Sequence, residues 1–217
     1  YTTLFRSPRQ SPTNGAVAQG RRERNKQDKL ARITAAACKL IAEQGIGAVT
    51  TLQVAEAADV ATGTLFLYAK TKGELLLLAQ NSEYERALEL GKVAASSNDR
   101  NVRNDRNVVD AVVALWKPII DCNRVHVENG RAYLKEVVFG ETSGPNRLQA
   151  LALMGETEAE TANLICKISG ISIDEARERA KGVSAFMLLL LSSPLNAAQG
   201  THEIAAQLAE QLKLTLP

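Results

Sequence analysis

The spacing of apolar residues restricts this chain more than any other feature. From Lys26 onward Leu30, Ile33, Ala37, Leu40 and Ile41 recur at three- and four-residue intervals, which is one face of a helix. Patterns of the same kind continue to the far end. The alternation of β-branched residues that marks strands is nowhere sustained, and no fixed-period repeat is present. The predicted fold class is all-α, with some nine helices.

Punctuation residues place the boundaries. Residues 1–25 are poor in apolar side chains and rich in Ser, Pro, Gly, Asn, Gln and Arg, and read as a flexible basic arm. Gly45 and Gly47 stop the helix that starts at Lys26. Thr50 and Gln53 have capping-box spacing at the head of a short second helix, which Asp59 interrupts. A third short helix is predicted over Thr62–Tyr68. Thr71 and Glu74 repeat the capping-box spacing before a long helix over Lys72–Ala95. Ser96–Asp105 is a polar, Asn-rich connection. Further helices are predicted over Val108–Val127, Ala132–Phe139, Asn146–Ile168, Ser172–Leu191 and Thr201–Leu214.

Composition narrows the function classes. The chain has 217 residues, enough for one domain or for a small one joined to a larger one. Its longest apolar run, Ala185–Leu191, is far short of a membrane span. The chain opens on Tyr1, not Met, so its first residues carry little functional weight. No hydrophobic signal segment opens it, and Cys38, Cys122 and Cys166 are too few and scattered for a disulfide framework, so a cytoplasmic location is expected. The net charge of +2 hides an asymmetry. Residues 1–75 sum to +5 and residues 76–217 to −3. A basic front end on an acidic body points to a polyanionic partner for the front end, or to a merely solvated tail.

The three short helices near the front suggest a helix-turn-helix. Such a unit needs a small residue where its helices cross, here Ala55. Four residues on, it needs one that tolerates left-handed backbone, here Asp59. Val54, Ala58, Val60 and Leu65 would seal the pair. The same pattern also fits a generic helical hairpin.

The segment Lys26–Ala79 goes further. It resembles the DNA-binding domain of the TetR family of bacterial transcriptional regulators. The resemblance runs through Ile33-Thr34-Ala35-Ala36-Ala37, Leu40 to Gly45, Thr50-Thr51, Val54 to Val60, Gly63-Thr64-Leu65-Phe66, Tyr68 and Lys72 to Leu76. It implies a homodimer on a palindromic operator and a helical C-terminal domain that senses a small molecule. The implied division is an arm over residues 1–25, a helix-turn-helix domain over 26–72, and a ligand-binding and dimerisation domain over 73–217. The positions expected to meet DNA are Thr50, Thr62, Gly63, Thr64, Leu67, Tyr68 and Lys72, with Arg22 and Arg24 from the arm. Gly63 would let backbone approach DNA closely, and the N-terminus of the third helix would point into the major groove. The chain departs from the family at Phe66, where Tyr is usual, and at Ala69, where Phe is usual. The third helix carries no Arg, Lys, Asn or Gln for bidentate base readout.

In the second half, Ala185, Leu188 and Leu189 with Ile204, Leu208 and Leu212 are expected at a dimer interface; the alternative is an ordinary intramolecular core. The candidate pocket residues are Tyr84, Trp116, His126, Tyr133, Phe139, Met154 and Phe186, with Arg131 as a further polar handle, and each could equally serve core packing. No metal site, cofactor or catalytic constellation is expected. Cys122 and His126 share a helix face but make only a lone pair. The leading expectation is a ligand-responsive repressor. Its rival is a dimeric helical small-molecule-binding protein with weak or lost specific DNA binding, motivated by Phe66, Leu67 and Ala69.

Overall fold

The computed structural model describes residues 14–97, 107–140 and 144–216. Among these residues the regular elements are helices: α1 (Asn14–Ala48), α2 (Thr51–Ala57), α3 (Thr62–Leu65), α4 (Lys72–Ser97), α5 (Val108–Val125), α6 (Val127–Phe139), α7 (Pro145–Ser169), α8 (Ile173–Ser192) and α9 (Thr201–Thr215), with a 3-10 turn at Pro194–Asn196 between the last two. The all-α expectation is correct. Arg6 and Arg9 of the arm, and residues 98–105 of the polar connection, lie outside the described residues.

The first helix begins earlier than its apolar pattern. Residues 14–25, expected to be flexible, are the opening turns of α1. Gln, Arg, Glu and Lys are good helix formers, and a helix nucleated by the packed turns beyond Ile33 propagates into them one hydrogen bond at a time. Residues 20–32 remain exposed, Leu30 included, so the buried stripe starts at Ile33 and continues through Ala37 and Ile41. Gly45 breaks the helix at φ 74°, a left-handed value that glycine adopts without steric cost.

Local chemistry sets the next three elements. The Thr50 hydroxyl accepts from the Gln53 amide (3.2 Å) while the Gln53 side chain accepts from the Thr50 amide (2.8 Å), so the capping box is complete. Asp59 takes the left-handed turn at φ 52°. The helix α3 is shorter than its pattern. After Leu65 the amides of Leu67 and Tyr68 bond to carbonyls three residues back, a tightened ending. At the head of α4, Thr71 caps the Glu74 amide (3.0 Å), but the Glu74 carboxylate reaches back to the amide of Lys70 (2.7 Å), not to that of Thr71.

The axis of the molecule is α4, packed against α1, α5, α6 and α7. Its run from Leu75 to Ala79 is buried on all sides, as a helix enclosed by neighbours must be. Further along, a Cβ at Gly91 would lie 2.1 Å from the Leu115 carbonyl oxygen, so α4 and α5 cross where only glycine leaves room. His126, at φ −139°, separates α5 from α6, and α6 starts at Val127, five residues ahead of its predicted start.

The expected partner-facing stripe on α9 is corrected. Ile204, Leu208 and Leu212 are at most 1% exposed within the single chain, because α9 packs chiefly against α5 and turns them inward. Leu188 is half-buried. Ala185 and Leu189 of α8 do face outward, Leu189 at 67% exposure.

Candidate nucleic-acid interface and regulatory cavities

The helix-turn-helix is closed by Val54, Ala55, Ala58 and Leu65, all buried. Arg32 of α1 reaches the Asp59 carboxylate (3.3 Å) and holds the turn against the first helix. This packing presents Gly63 and Leu67 to solvent, with Thr62 and Thr64 half-exposed beside them. A Cβ at Gly63 would meet nothing within 4 Å. Intrachain packing therefore places no demand for glycine there.

Several expected DNA-facing groups are already engaged within the chain. The Tyr68 hydroxyl donates to the Lys26 carbonyl (3.2 Å), and the Lys72 ammonium donates to the Gly47 carbonyl (2.7 Å) at the end of α1. Thr50 is exposed, with its hydroxyl spent on the capping box. Arg22 and Arg24 are exposed on the helical part of α1. Two residues apart on a helix, they do not share a face. Phe66 is 42% exposed, and Ala69 is wholly buried, where its small side chain suffices.

The body contains a cavity of about 140 Å³ between α4, α5, α6, α7 and α8. Four of the expected residues line it: Tyr84, Trp116, Tyr133 and Met154. The Tyr84 and Tyr133 rings stack with centroids 4.3 Å apart. Trp116 donates its indole N–H to Thr161 (3.1 Å), and the nearby buried Ser184 hydroxyl has no partner among the described residues. The other three expected residues lie elsewhere. Phe139 is 76% exposed, because it ends α6 with its side chain off the buried face. Phe186 sits between α8 and α9. His126, at the α5–α6 corner, lines a second cavity against α1.

The wall of the first cavity is tied to the helix-turn-helix by buried amides, which sequence reasoning missed. The Tyr133 hydroxyl donates to the Asn81 side-chain oxygen (2.9 Å), and Asn81 donates to the Asn146 carbonyl (2.8 Å). Asn146 in turn donates its side-chain amide to the carbonyl of Tyr68 (2.8 Å), just past α3. A second tie is Asn129 of α6, which accepts from the Ile46 amide (2.8 Å) and donates to the Ile41 carbonyl (3.1 Å), fastening both sides of the Gly45 break. The only signal in the sequence was polar residues at buried helix positions, which is where a buried amide must find partners.

Comparison with known proteins settles the identity of the front segment. Residues 33–79 match the model of the family described as bacterial regulatory proteins, tetR family. The chain carries a TetR-family N-terminal domain. The match covers residues 33–79 and identifies that segment alone. No curated protein is significantly similar to the chain in sequence. Among solved structures, the fold is similar to Thermus thermophilus FadR, a TetR-family transcriptional repressor in complex with lauroyl-CoA. That match has a TM-score of 0.65 at 20% identity, covering 86% of this chain and 92% of that one. It is also similar to FadR from Bacillus subtilis in complex with stearoyl-CoA (TM-score 0.54, 15% identity, 84% and 96% covered) and to a Rhodococcus sp. Rha1 transcriptional regulator (0.57, 17%, 86% and 95%). At these identities the likeness concerns the fold alone. Beyond Ala79 the comparisons show a shared helical fold and no family.

Proposed function

We propose that the chain is a ligand-responsive transcriptional repressor that binds a palindromic DNA operator as a homodimer in the bacterial cytoplasm and is released by a small-molecule effector. The observation that carries this reading is the run of buried hydrogen bonds from Tyr133, in the cavity wall, to the carbonyl of Tyr68 beside the reading helix. A sensor needs a physical link between its two sites, and a continuous run of bonds between them supports that role.

Size supports release. A cavity of about 140 Å³ is smaller than the ~300–1,000 Å³ of ordinary small-molecule sites. An effector entering it must push the walls outward, and Tyr133 is one of them. Displacing its hydroxyl removes the donor to Asn81, which still bonds the Asn146 carbonyl and Gln149 (3.1 Å); a shift of Asn81 passed on to Asn146 changes its hold on Tyr68 and with it the pose of α3. The lining is mostly apolar, with Leu134, Leu153, Met154, Met187 and Leu191. It suits an aliphatic effector, consistent with the acyl-CoA ligands of the two structural neighbours.

On DNA, Gly63 and the threonines beside it would sit closest to the bases, reading shape and thymine methyls more than donor–acceptor pairs. Lys72 would position the backbone. Arg22 and Arg24 would add charge along the DNA from a helix, not from a flexible arm. For the dimer, the outward face of α8 at Ala185 and Leu189 is the candidate seam.

A second reading, a dimeric ligand-binding protein with weak or lost specific DNA binding, is favoured by one observation: Tyr68 and Lys72 both bond within the chain. A mobility-shift assay on the DNA upstream of the chain's own gene tests between them. A retarded band that is lost on adding an aliphatic acyl compound supports the repressor. Failure to retard that DNA and any genomic fragment at low salt supports the rival.

A further inference from the structure

The second cavity has no part in the function proposed above. It lies between α1, α4, α5 and α6, has a volume of about 400 Å³, and so is already large enough for a small organic molecule without displacing its walls. Ile41, Ala79, Ala87 and Pro118 give it an apolar floor. Its polar lining holds the acceptors Gln80, Glu83 and Asp121 and, on the donor side, Arg86 and His126. The Gln80 side-chain oxygen is buried and has no partner among the described residues. The carboxylates of Glu83 and Asp121 stand at the outer wall, 48% and 46% exposed, with one oxygen of each paired, to Arg86 (2.5 Å) and Lys117 (2.8 Å). Arg86 is 70% exposed at the side chain and is turned to Glu83, and both side-chain polar atoms of Asn129 are used on α1.

Two thiols, Cys38 and Cys122, stand on the same wall. Burial, with the Glu83 carboxylate second, pushes the Cys122 thiol up to about 11, and the same two causes push Cys38 up. Both therefore stay protonated at neutral pH and add no thiolate chemistry. A buried acceptor without a donor costs free energy, and a bound N–H would satisfy it.

We propose that this cavity is a second binding site, distinct from the α4–α8 cavity, for a small amphipathic amine whose ammonium bonds Gln80 and Glu83 while its hydrocarbon body covers the floor. Because α1 forms one wall and α4, α5 and α6 the others, the bound amine bridges the helix-turn-helix domain and the body. The proposal does not depend on the effector assigned to the first cavity.

The test titrates the full chain with n-hexylammonium, n-hexanol and n-hexanoate, with binding read by calorimetry or NMR shifts. The expected result is that the ammonium binds about tenfold or more tighter than either analogue. Gln80→Leu should weaken it by about tenfold. Ala42→Trp, at an exposed position on the rim, should block the space without disturbing the fold. Leu214→Ser, at an exposed position on α9 away from both cavities, should leave the affinity unchanged. Equal binding of alcohol or carboxylate, no binding of any of the three, binding undisturbed by Ala42→Trp, or loss with Leu214→Ser would each overturn the assignment.

Discussion

Asn146 of α7 donates its side-chain amide to the main-chain carbonyl of Tyr68, 2.8 Å away and 78 positions earlier in the chain. The bond joins α7 to the segment that follows α3; Asn146 is buried and Tyr68 half-buried. Replacing Asn146 by Leu leaves that carbonyl without a donor. The expected cost is about 1–3 kcal/mol in urea unfolding, together with weakened DNA binding. Unfolding unchanged within a few tenths would mean that the bond contributes nothing.

Tyr133→Phe removes only the hydroxyl that holds Asn81 and keeps the ring stacked on Tyr84. It should cost about 1 kcal/mol of stability and shift DNA affinity in the direction that effector does. Combined with Asn146→Leu the effects should fall short of additivity, since both act on one connected network. Full additivity in DNA affinity would show that cavity and reading head are not coupled along this route.

Two glycines separate packing from recognition. At Gly91 an added methyl meets the Leu115 carbonyl oxygen at 2.1 Å, so Gly91→Ala should destabilise by about 2 kcal/mol or more. At Gly63 an added methyl meets nothing, so Gly63→Ala should leave thermal stability unchanged or raise it by about 0.5–1 kcal/mol. The same change should still lower DNA affinity, because the methyl occupies the surface where backbone meets the duplex. A Gly63→Ala protein that binds DNA normally would remove Gly63 from the interface.

Alkaline pH should unfold the chain in a defined window. Burial raises the Cys122 thiol from 9.0 to about 11 and raises the Tyr84 and Tyr133 hydroxyls as well. The folded chain then keeps protons that the unfolded chain releases. The stability from Cys122 is full below pH 9 and is lost as pH rises to about 11. The two tyrosines extend the decline from pH 10 upward. Melting temperature should fall across this range, and Cys122→Ala should make the fall between pH 9 and 11 shallower. An identical profile for the variant would contradict the assignment.

What the sequence disclosed was decided by short range. Thr50 with Gln53, Asp59 at the turn and the glycine at 45 act on neighbouring backbone, so their roles were legible from spacing alone. The α9 stripe was legible as buried but not as to what buries it. Periodicity gives a face and not its partner, and α5 occupies the side assigned to a second subunit. Phe139 and Phe186 looked like pocket residues because aromatics are scarce here, but a position on a helix fixes no direction in the assembled molecule. Tyr68 and Lys72, expected to face DNA, also bond to carbonyls of α1, contacts that span 42 and 25 positions. The Asn81, Asn129 and Asn146 ties were illegible for the same reason: a buried amide announces that it has partners, not which.

The TetR-family domain also makes a direct claim on salt and charge. Lys72→Ala should weaken binding to all sequences by a similar factor and reduce the salt slope by about one, whereas changing Thr64 should alter site preference. Because Lys72 also bonds the Gly47 carbonyl, thermal melts of the variant should accompany the comparison. Equal losses on every site for Thr64 variants would make it a positioning contact only.

The most direct test of the central claim is selection of genomic DNA fragments bound by the intact chain at low salt, followed by footprinting of the enriched sequence. The expected result is an inverted repeat protected by a dimer, with half-sites about one helical turn apart, and an affinity that falls steeply as salt rises. Enrichment of no sequence, or of a single unrepeated half-site bound by a monomer, would contradict it.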